Sequence, residues 1–340
     1  MEAPNRLYIE RHVVDHPLTK KIISRLRSVP VEFVDNYKSI GEGKPFPLRA
    51  REDKNSLALA EKRGEVLKSI GRMESGQYYL FHEIDCKYDC EYCYLQYYFQ
   101  TKVPIIFVNR DEVLLKIEEV LKSHAHPYFH VGEVCDALAF DPLTDFSLRI
   151  SDLFSKYKHG LIEFRTKSTN VQNLLSLKQH PENMIISWTL SPERVANAIE
   201  HKTPSLSERL DAARRCQGAD YQVGVRLDPI LIYEGWEEDY HGMVEEILTK
   251  LDPGRIDCIS LGTIKLHKLL IDAIRLRFPE SPTVTAELFP AADGKYRYLK
   301  FQRVDVYRKI VSWIRGLDED IPIDLSIETD EVKELVFNSI

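Results

Sequence analysis

The sequence predicts an α/β protein, on three observations. Apolar runs of strand length recur from residue 78 onward, amphipathic stretches of helical length separate them, and 340 residues leave room for about two domains of ordinary size. Strands that alternate with helices form parallel βαβ units. A doubly wound sheet and a full or partial barrel both satisfy that pattern. In a barrel, chemistry sits at the C-terminal ends of the strands.

Residues 1–75 stand apart. They hold a short strand-like run at Leu7 to Ile9 and again at Val13-Val14, then Pro30, Gly41, Gly43, Pro45 and Pro47. This reads as a small basic N-terminal extension, with 15 Lys/Arg against 11 Asp/Glu in a chain whose net charge is −7. Residues 76–290 carry the regular alternation, with strands expected at 78–84, 128–132, 160–165, 184–189, 221–227 and 256–261. Val113, Ile117, Val120 and Leu121 share one helical face, with Asn109 or Asp111 placed to cap it. Ser191-Pro192-Glu193 reads as a cap followed by proline at the first helical position, and Ser205 with Glu208 as a capping box. Residues 291–340 form a C-terminal extension, basic over 295–315 and acidic beyond. Its helix buries Val304, Tyr307, Ile310, Val311 and Ile314.

Composition sets outer bounds. At 44% hydrophobic and 29% charged residues the chain folds rather than staying disordered. No apolar run reaches membrane-span length, and the start lacks the apolar core of a signal peptide. A cytoplasmic protein without membrane contact is expected, in which six cysteines are not a disulfide framework. No Gly-x-Gly-x-x-Gly or Walker loop occurs, since Gly41-Glu42-Gly43-Lys44 has neither the length nor the context. His124, His126 and His130 are spread by strand entry and are not expected to share a metal.

The chemistry concentrates in Asp85-Cys86-Lys87-Tyr88-Asp89-Cys90-Glu91-Tyr92-Cys93-Tyr94-Leu95-Gln96, where the first expected strand ends. The spacing C-x3-C-x2-C brings three thiolates around one small object. A structural zinc site needs a fourth ligand, and none follows, because Cys135, Cys216 and Cys258 are isolated. A [4Fe–4S] cluster held by three cysteines keeps one iron open to a cofactor or substrate.

That loop, at a strand end in an alternating β/α chain, resembles the radical S-adenosyl-L-methionine (SAM) superfamily. Further matches point to the spore photoproduct lyase family: Leu7-Tyr8-Ile9-Glu10, Asp136-x4-Asp141-x-Leu143-Thr144, Arg165-Thr166-Lys167 with Asn170-Val171, Ile230 to Gly235-Trp236 with Glu237 and Tyr240, and Lys295-Tyr296-x-Tyr298. The resemblance runs from Tyr8 to about Trp313. It implies a partial (β/α)6 barrel and an enzyme that makes a 5′-deoxyadenosyl radical from SAM. That radical abstracts hydrogen from a pyrimidine photoproduct in DNA, and an electron donor such as flavodoxin or ferredoxin supplies the reducing electron. Cys86, Cys90 and Cys93 are the implied cluster ligands. Tyr92, Glu133, Lys167 and Ser187 are the implied SAM contacts, and Cys135, Tyr94 and Tyr92 the implied catalytic set.

One departure stands out. The family's hydrogen-donating cysteine aligns with Glu133, and Cys135 lies two residues on, where the lyases carry a serine. Gly132-Glu133 instead resembles the Gly-Gly-Glu element that holds SAM's amino group. Two residues along a strand preserve the facing direction and shift a side chain by roughly 6.5 Å. Asp228 after Arg226 also departs from an apolar stretch. A duplex lesion must be flipped out to meet a buried radical. Lys295, Tyr296, Arg297, Tyr298, Lys300 and Arg303 interleave cations with aromatics, which suits phosphate contact and base stacking. The same segment also reads as a strand leading into an amphipathic helix with solvated charges. Two other functions fit part of this pattern: a radical SAM enzyme for a small molecule or peptide, and a non-catalytic iron–sulfur nucleic-acid-binding module.

Overall fold

A computed structural model describes residues 3–40, 55–70, 76–99 and 103–338. Gly41, Gly43, Lys44, Pro45 and Pro47 lie outside the described residues. The chain forms two compact units, Met1–Asp89 with Leu95–Ile185, and Cys90–Tyr94 with Ile186–Ile340.

In the first unit a five-stranded sheet runs in the order Val31–Val34, Arg6–Glu10, Ser56–Ala60, Ile105–Phe107, Glu83–Ile84. The first four strands pair in parallel and the last antiparallel. Period-2 alternation sorts its side chains. Leu7, Ile9, Leu57, Leu59 and Ile106 pack with Leu18 and Ile22 of helix Pro17–Arg25 and with Phe140 and Leu143. Ala58, Ala60, Ile105 and Phe107 pack on the other side with Ile84, Val103 and Val134. Each Leu or Ile so buried contributes about 1.5–3 kcal/mol. Strands from the first 75 residues therefore share a sheet with later ones, through two short strands, Ser56–Ala60 and Ile105–Phe107, that the apolar pattern left unmarked. Val13, expected as strand, lies in the 3₁₀ turn Arg11–Val13.

The same unit holds Leu161–Thr166, Tyr128–Val131, Gln77–Leu80 and Leu67–Ser69 in that order, the first three parallel and the last antiparallel. The strand expected over 78–84 is thus two. Gln77–Leu80 pairs with Tyr128–Val131, while Glu83–Ile84 pairs with Ile105–Phe107 in the other sheet. Phe81 and His82 carry the chain from one to the other, and the His82 carbonyl accepts the Phe107 N–H at 3.2 Å.

In the second unit the order is Ile323–Leu325, Ile256–Thr263, Gln222–Ile230, Met184–Thr189, the last strand contributing its residues from Ile186 onward. The first three pair in parallel. The molecule is thus a mixed α/β fold. In neither unit does a sheet close on itself among the described residues.

Helix starts follow the sequence with two shifts. The capping box at Leu206–Gln217 forms as expected, with Ser205 Oγ accepting the Glu208 N–H at 3.2 Å and Glu208 accepting the Ser205 N–H at 2.8 Å. Helix Glu193–Ile199 begins after Pro192 rather than at it, because the Ser191 hydroxyl donates instead to Glu200 at 2.9 Å. Asn109 occupies the cap position of Arg110–Ser123 with its carbonyl accepting the Glu112 N–H at 3.2 Å but without a side-chain cap; its side-chain amide joins the Lys62 backbone at 2.8 and 3.0 Å.

Candidate functional site

In the first unit the strand Tyr128–Val131 ends on Gly132 at φ +104°, where a Cβ would lie 2.4 Å from the Arg165 carbonyl oxygen. Only glycine fits that backbone and that approach. The turn delivers Glu133, Cys135 and Asp136 to the end of Leu161–Thr166. Asp136 is buried and accepts three hydrogen bonds: the Lys167 N–H at 2.7 Å, the Thr166 hydroxyl at 2.7 Å and the Leu138 N–H at 3.1 Å. Burial still leaves its carboxyl above the ordinary aspartate range. The Lys167 backbone is fixed by this hub.

The remaining matched positions interlock behind it. Asn170 donates to the Leu138 and Ala139 carbonyls at 3.2 and 3.1 Å. Asp141 accepts from the Ser147 N–H and hydroxyl at 2.8 and 2.7 Å, and from Asn173 at 2.8 Å. Glu133 sits in an ion pair with Arg165 at 3.0 Å, and Arg165 also meets Glu163 at 2.8 Å. Of the three histidines, His130 bonds Glu163 at 3.0 Å and Gln77 at 3.1 Å, and His124 bonds the Tyr78 hydroxyl at 3.1 Å.

Cys86 follows Asp85, a non-glycine residue at φ +63° whose carboxylate accepts the Cys86 N–H at 2.8 Å. The Tyr88 N–H points at Cys86 Sγ, 3.4 Å away. Cys135 is 6% exposed, and its thiol is pushed well up by burial first, then by Glu83, Asp136 and Cys86. Three charged or polar neighbours of Cys135 gave no sequence signal beyond their oddity among apolar residues. His82, Glu83 and Arg110 are at most 2% exposed, with Arg110 2.5 Å from Glu83.

In the second unit Cys90–Tyr94 is held by its own side chains. The Glu91 N–H donates to the Ile199 carbonyl at 2.9 Å, and the Glu91 carboxylate meets His201 at 2.7 Å. The Tyr92 hydroxyl donates to Glu200, which also pairs with Arg209 at 2.6 Å, both side chains fully buried. Burial, and then the Glu200 charge, push the Tyr92 phenol far up. The Cys93 N–H closes the turn onto the Cys90 carbonyl at 3.1 Å. Cys90 is buried, and Tyr92, Cys93 and Tyr94 are half-buried. Ser187 is 1% exposed on its strand, facing Gly224.

The donor set is thus three cysteines on one short loop, none of them in a disulfide, and the chain's other cysteines are also unbridged. Among the described residues no group of three or more His, Cys, Asp or Glu converges on a single metal ion. Thiols spaced this way suit a cluster, in which each binds its own iron.

A family model described as spore photoproduct lyase matches residues 2–310. The chain belongs to the spore photoproduct lyase family. It is 27% identical over 315 residues to the spore photoproduct lyase of Bacillus subtilis (strain 168), covering 91% of this chain and 90% of that one. It is 26% identical over 290 residues to that of Geobacillus sp. (strain Y412MC61), with coverage of 82% and 84%. The fold matches a solved spore photoproduct lyase complexed with dinucleoside spore photoproduct at TM-score 0.83 and 22% identity, covering 95% of this chain and 99% of that one. A mutant lyase with bound AdoMet and the same dinucleoside matches at 0.84 and 21%, covering 94% and 98%. Members of the spore photoproduct lyase family are radical SAM enzymes.

The family's Lys-Tyr-x-Tyr segment forms strand Lys295–Arg297 and the start of helix Lys300–Leu317. Three of the six residues expected to meet nucleic acid point into the fold. Tyr298 is 4% exposed and its hydroxyl accepts the Ile232 N–H at 2.9 Å, so its ring is not free to stack on a base. Arg303 is buried against Glu328 at 3.1 Å, and Arg297 is buried and paired with Asp293. Lys295 and Tyr296 are half-buried; Lys300 is exposed and meets Glu331 at 2.6 Å. Beside them Phe301 is 69% exposed on a groove of about 730 Å³, lined also by Trp236, Glu237, Asp305 and Arg308.

Proposed function

We propose that this chain is a radical SAM enzyme that acts on a pyrimidine photoproduct in DNA or a closely related base. The observation that carries the reading is the meeting of two predicted elements in one unit: the loop from Cys86, and the Gly132 turn whose Asp136 pins Lys167. Cys86, Cys90 and Cys93 would hold a [4Fe–4S] cluster. Lys167, Ser187, Tyr92 and Glu133 would hold SAM, Lys167 toward its carboxylate and Tyr92 toward its adenine. Cluster and SAM, when bound, supply a 5′-deoxyadenosyl radical that takes hydrogen from the substrate.

The chain's own residues do the rest. Glu133, at the position where the family's donor cysteine aligns, is held by Arg165, and a carboxyl group does not serve as a hydrogen-atom donor as a thiol does. Cys135 takes over that role. Its S–H bond breaks as a C–H bond forms on the substrate, which leaves the radical on sulfur, and the Tyr94 O–H then gives its hydrogen to that sulfur. Burial keeps Cys135 as a thiol, the form that carries a transferable hydrogen. Arg297, Tyr298 and Arg303 hold the segment in place while Lys295, Tyr296 and Lys300 meet the nucleic-acid backbone. The parallel strands are arranged as a partial barrel with residues 1–75 and 291–340 as extensions, and a flavodoxin or ferredoxin in the cytoplasm delivers the electron. No helix among the described residues is long and apolar enough to cross a membrane.

The test is anaerobic. The reconstituted, reduced protein is given SAM, and 5′-deoxyadenosine is measured with and without ultraviolet-irradiated thymine-rich DNA. Stimulation by irradiated DNA with restored thymine is the expected result. 5′-Deoxyadenosine without stimulation would keep the radical chemistry and move the substrate elsewhere. No 5′-deoxyadenosine from a fully loaded cluster would overturn the enzyme reading.

A further inference from the structure

Outside the hydrogen-bonded hub, the first unit encloses a second polar cluster around the Cys135 thiol. His82 is wholly buried and stacks on Phe146, with ring centroids 4.2 Å apart and planes 16° from parallel. The Arg110 guanidinium lies 5.0 Å from the same Phe146 centroid and pairs with Glu83. His82 Nε2 is 4.0 Å from Cys135 Sγ. His82 Nδ1 faces Glu83 Oε1 at 3.7 Å, too far for a hydrogen bond, and has no other partner.

These positions fix the chemistry of the ring. Burial first and the Arg110 charge second hold His82 far below the ordinary histidine range, so the ring is neutral. A neutral imidazole carries one N–H and one bare nitrogen. Glu83 Oε1 accepts from Arg110 and so presents lone pairs toward Nδ1, which favours the ring hydrogen there and leaves the lone pair of Nε2 toward the sulfur. The stack on Phe146 sets the plane of the ring. A buried ring whose only partner on its acceptor side is a thiol is placed to serve that thiol.

We propose that His82 is a positioning residue for Cys135, accepting its S–H and holding the sulfur in one rotamer until the substrate radical draws the hydrogen away. This rests on Cys135 being the thiol that returns hydrogen. It explains how the role survives a two-residue displacement along the chain: the histidine and the cysteine occur together in the first unit, where residues 81–82 carry the chain from one sheet to another. A thiol free to rotate returns hydrogen at variable distance and angle, and a misplacement of about 1 Å costs about 100-fold in rate.

The direct test is the infrared S–H stretch of the cluster-loaded protein. Ligation removes the S–H of the three loop cysteines, and the Cys135 band is found as wild type minus Cys135→Ala. Accepting by His82 lowers that band, so His82→Phe, which keeps a ring to stack on Phe146, moves it to higher wavenumber. His82→Met, which fills similar space without nitrogen, gives the same comparison if the phenylalanine variant does not fold. A band that stays in place in either folded variant overturns the proposal.

Turnover separates this from the underlying reading. With dinucleoside spore photoproduct as probe, His82→Phe lowers restored thymine per 5′-deoxyadenosine about tenfold or more, with 5′-deoxyadenosine formation itself unchanged. Damage to the fold would lower both. If Cys135→Ala lowers the ratio and His82→Phe does not, the positioning role is overturned and the donor stands. If Cys135→Ala leaves the ratio unchanged, the donor reading fails and the role of His82 falls with it.

Discussion

A Cβ on Gly224 would fall 2.1 Å from the Oγ of Ser187. The two residues lie on strands of the second unit, and the absence of a side chain at 224 is what leaves the Ser187 hydroxyl its place. Gly224→Ala must displace Ser187 or the strand, at about 1–3 kcal/mol by analogy with other overpacked cores. SAM affinity, measured by equilibrium dialysis of the loaded protein, falls about tenfold. Ser187→Ala lowers affinity with a smaller loss of stability, because it removes a hydroxyl without a clash.

Glu200 and Arg209 form a fully buried pair that also takes the Tyr92 hydroxyl. Glu200→Ala leaves the guanidinium charged, buried and unpaired, a change that costs about 3–5 kcal/mol. Tyr92→Phe loses one charge-assisted hydrogen bond, worth about 1.5–3 kcal/mol. Urea unfolding of both variants checks the order. Iron content per chain after reconstitution shows whether the Cys90–Tyr94 turn still binds, and Glu200→Ala is expected to lose the more iron.

Asp136→Ala orphans three donors at once: the Lys167 N–H, the Thr166 hydroxyl and the Leu138 N–H. At about 1–3 kcal/mol for each buried group left unpaired, stability falls by several kcal/mol. Asp136→Asn keeps an acceptor oxygen and loses about half as much. The measurement is thermal unfolding followed by SAM titration of the asparagine variant, which binds more weakly as the Lys167 backbone loosens.

Glu83 gives the fold a pH dependence. Burial, opposed by Arg110, raises its carboxyl from 4.5 to about 7. Between those values the unfolded chain is ionised while the folded one keeps its proton. This group's stabilising contribution is therefore full below 4.5 and is lost as pH rises through about 7. The amount is about 3 kcal/mol. Glu83→Gln removes that slope. Unfolding free energies at about pH 5 and about pH 8 show wild type losing about 3 kcal/mol relative to the variant as pH rises if the assignment is right. A difference that does not change with pH would place the group elsewhere.

Much of the site was legible in linear order. C-x3-C-x2-C, the Gly132 turn, Asp136 and Lys167 are local signals, since each rests on spacing within a few residues or on a strand end. Ser205 and Glu208 formed the capping box their spacing required. The cations of residues 295–303 were legible as charges but not as contacts. Arg303 and Lys300 meet Glu328 and Glu331 at 25 and 31 positions along the chain, a separation that leaves no periodic trace, while Arg297 meets Asp293 only four positions away.

By itself the sequence determined the α/β class, the thiol loop and the family, because periodicity, residue type and short spacing carry them. Residues 78–84 split between two sheets, and Ser56–Ala60 and Ile105–Phe107 join the N-terminal strands to later ones, through packing that no local pattern encodes. The same packing makes His82 face Cys135 across 53 positions of sequence. Those outcomes depend on which buried surfaces find each other, and burial is a property of the packed chain rather than of any segment within it.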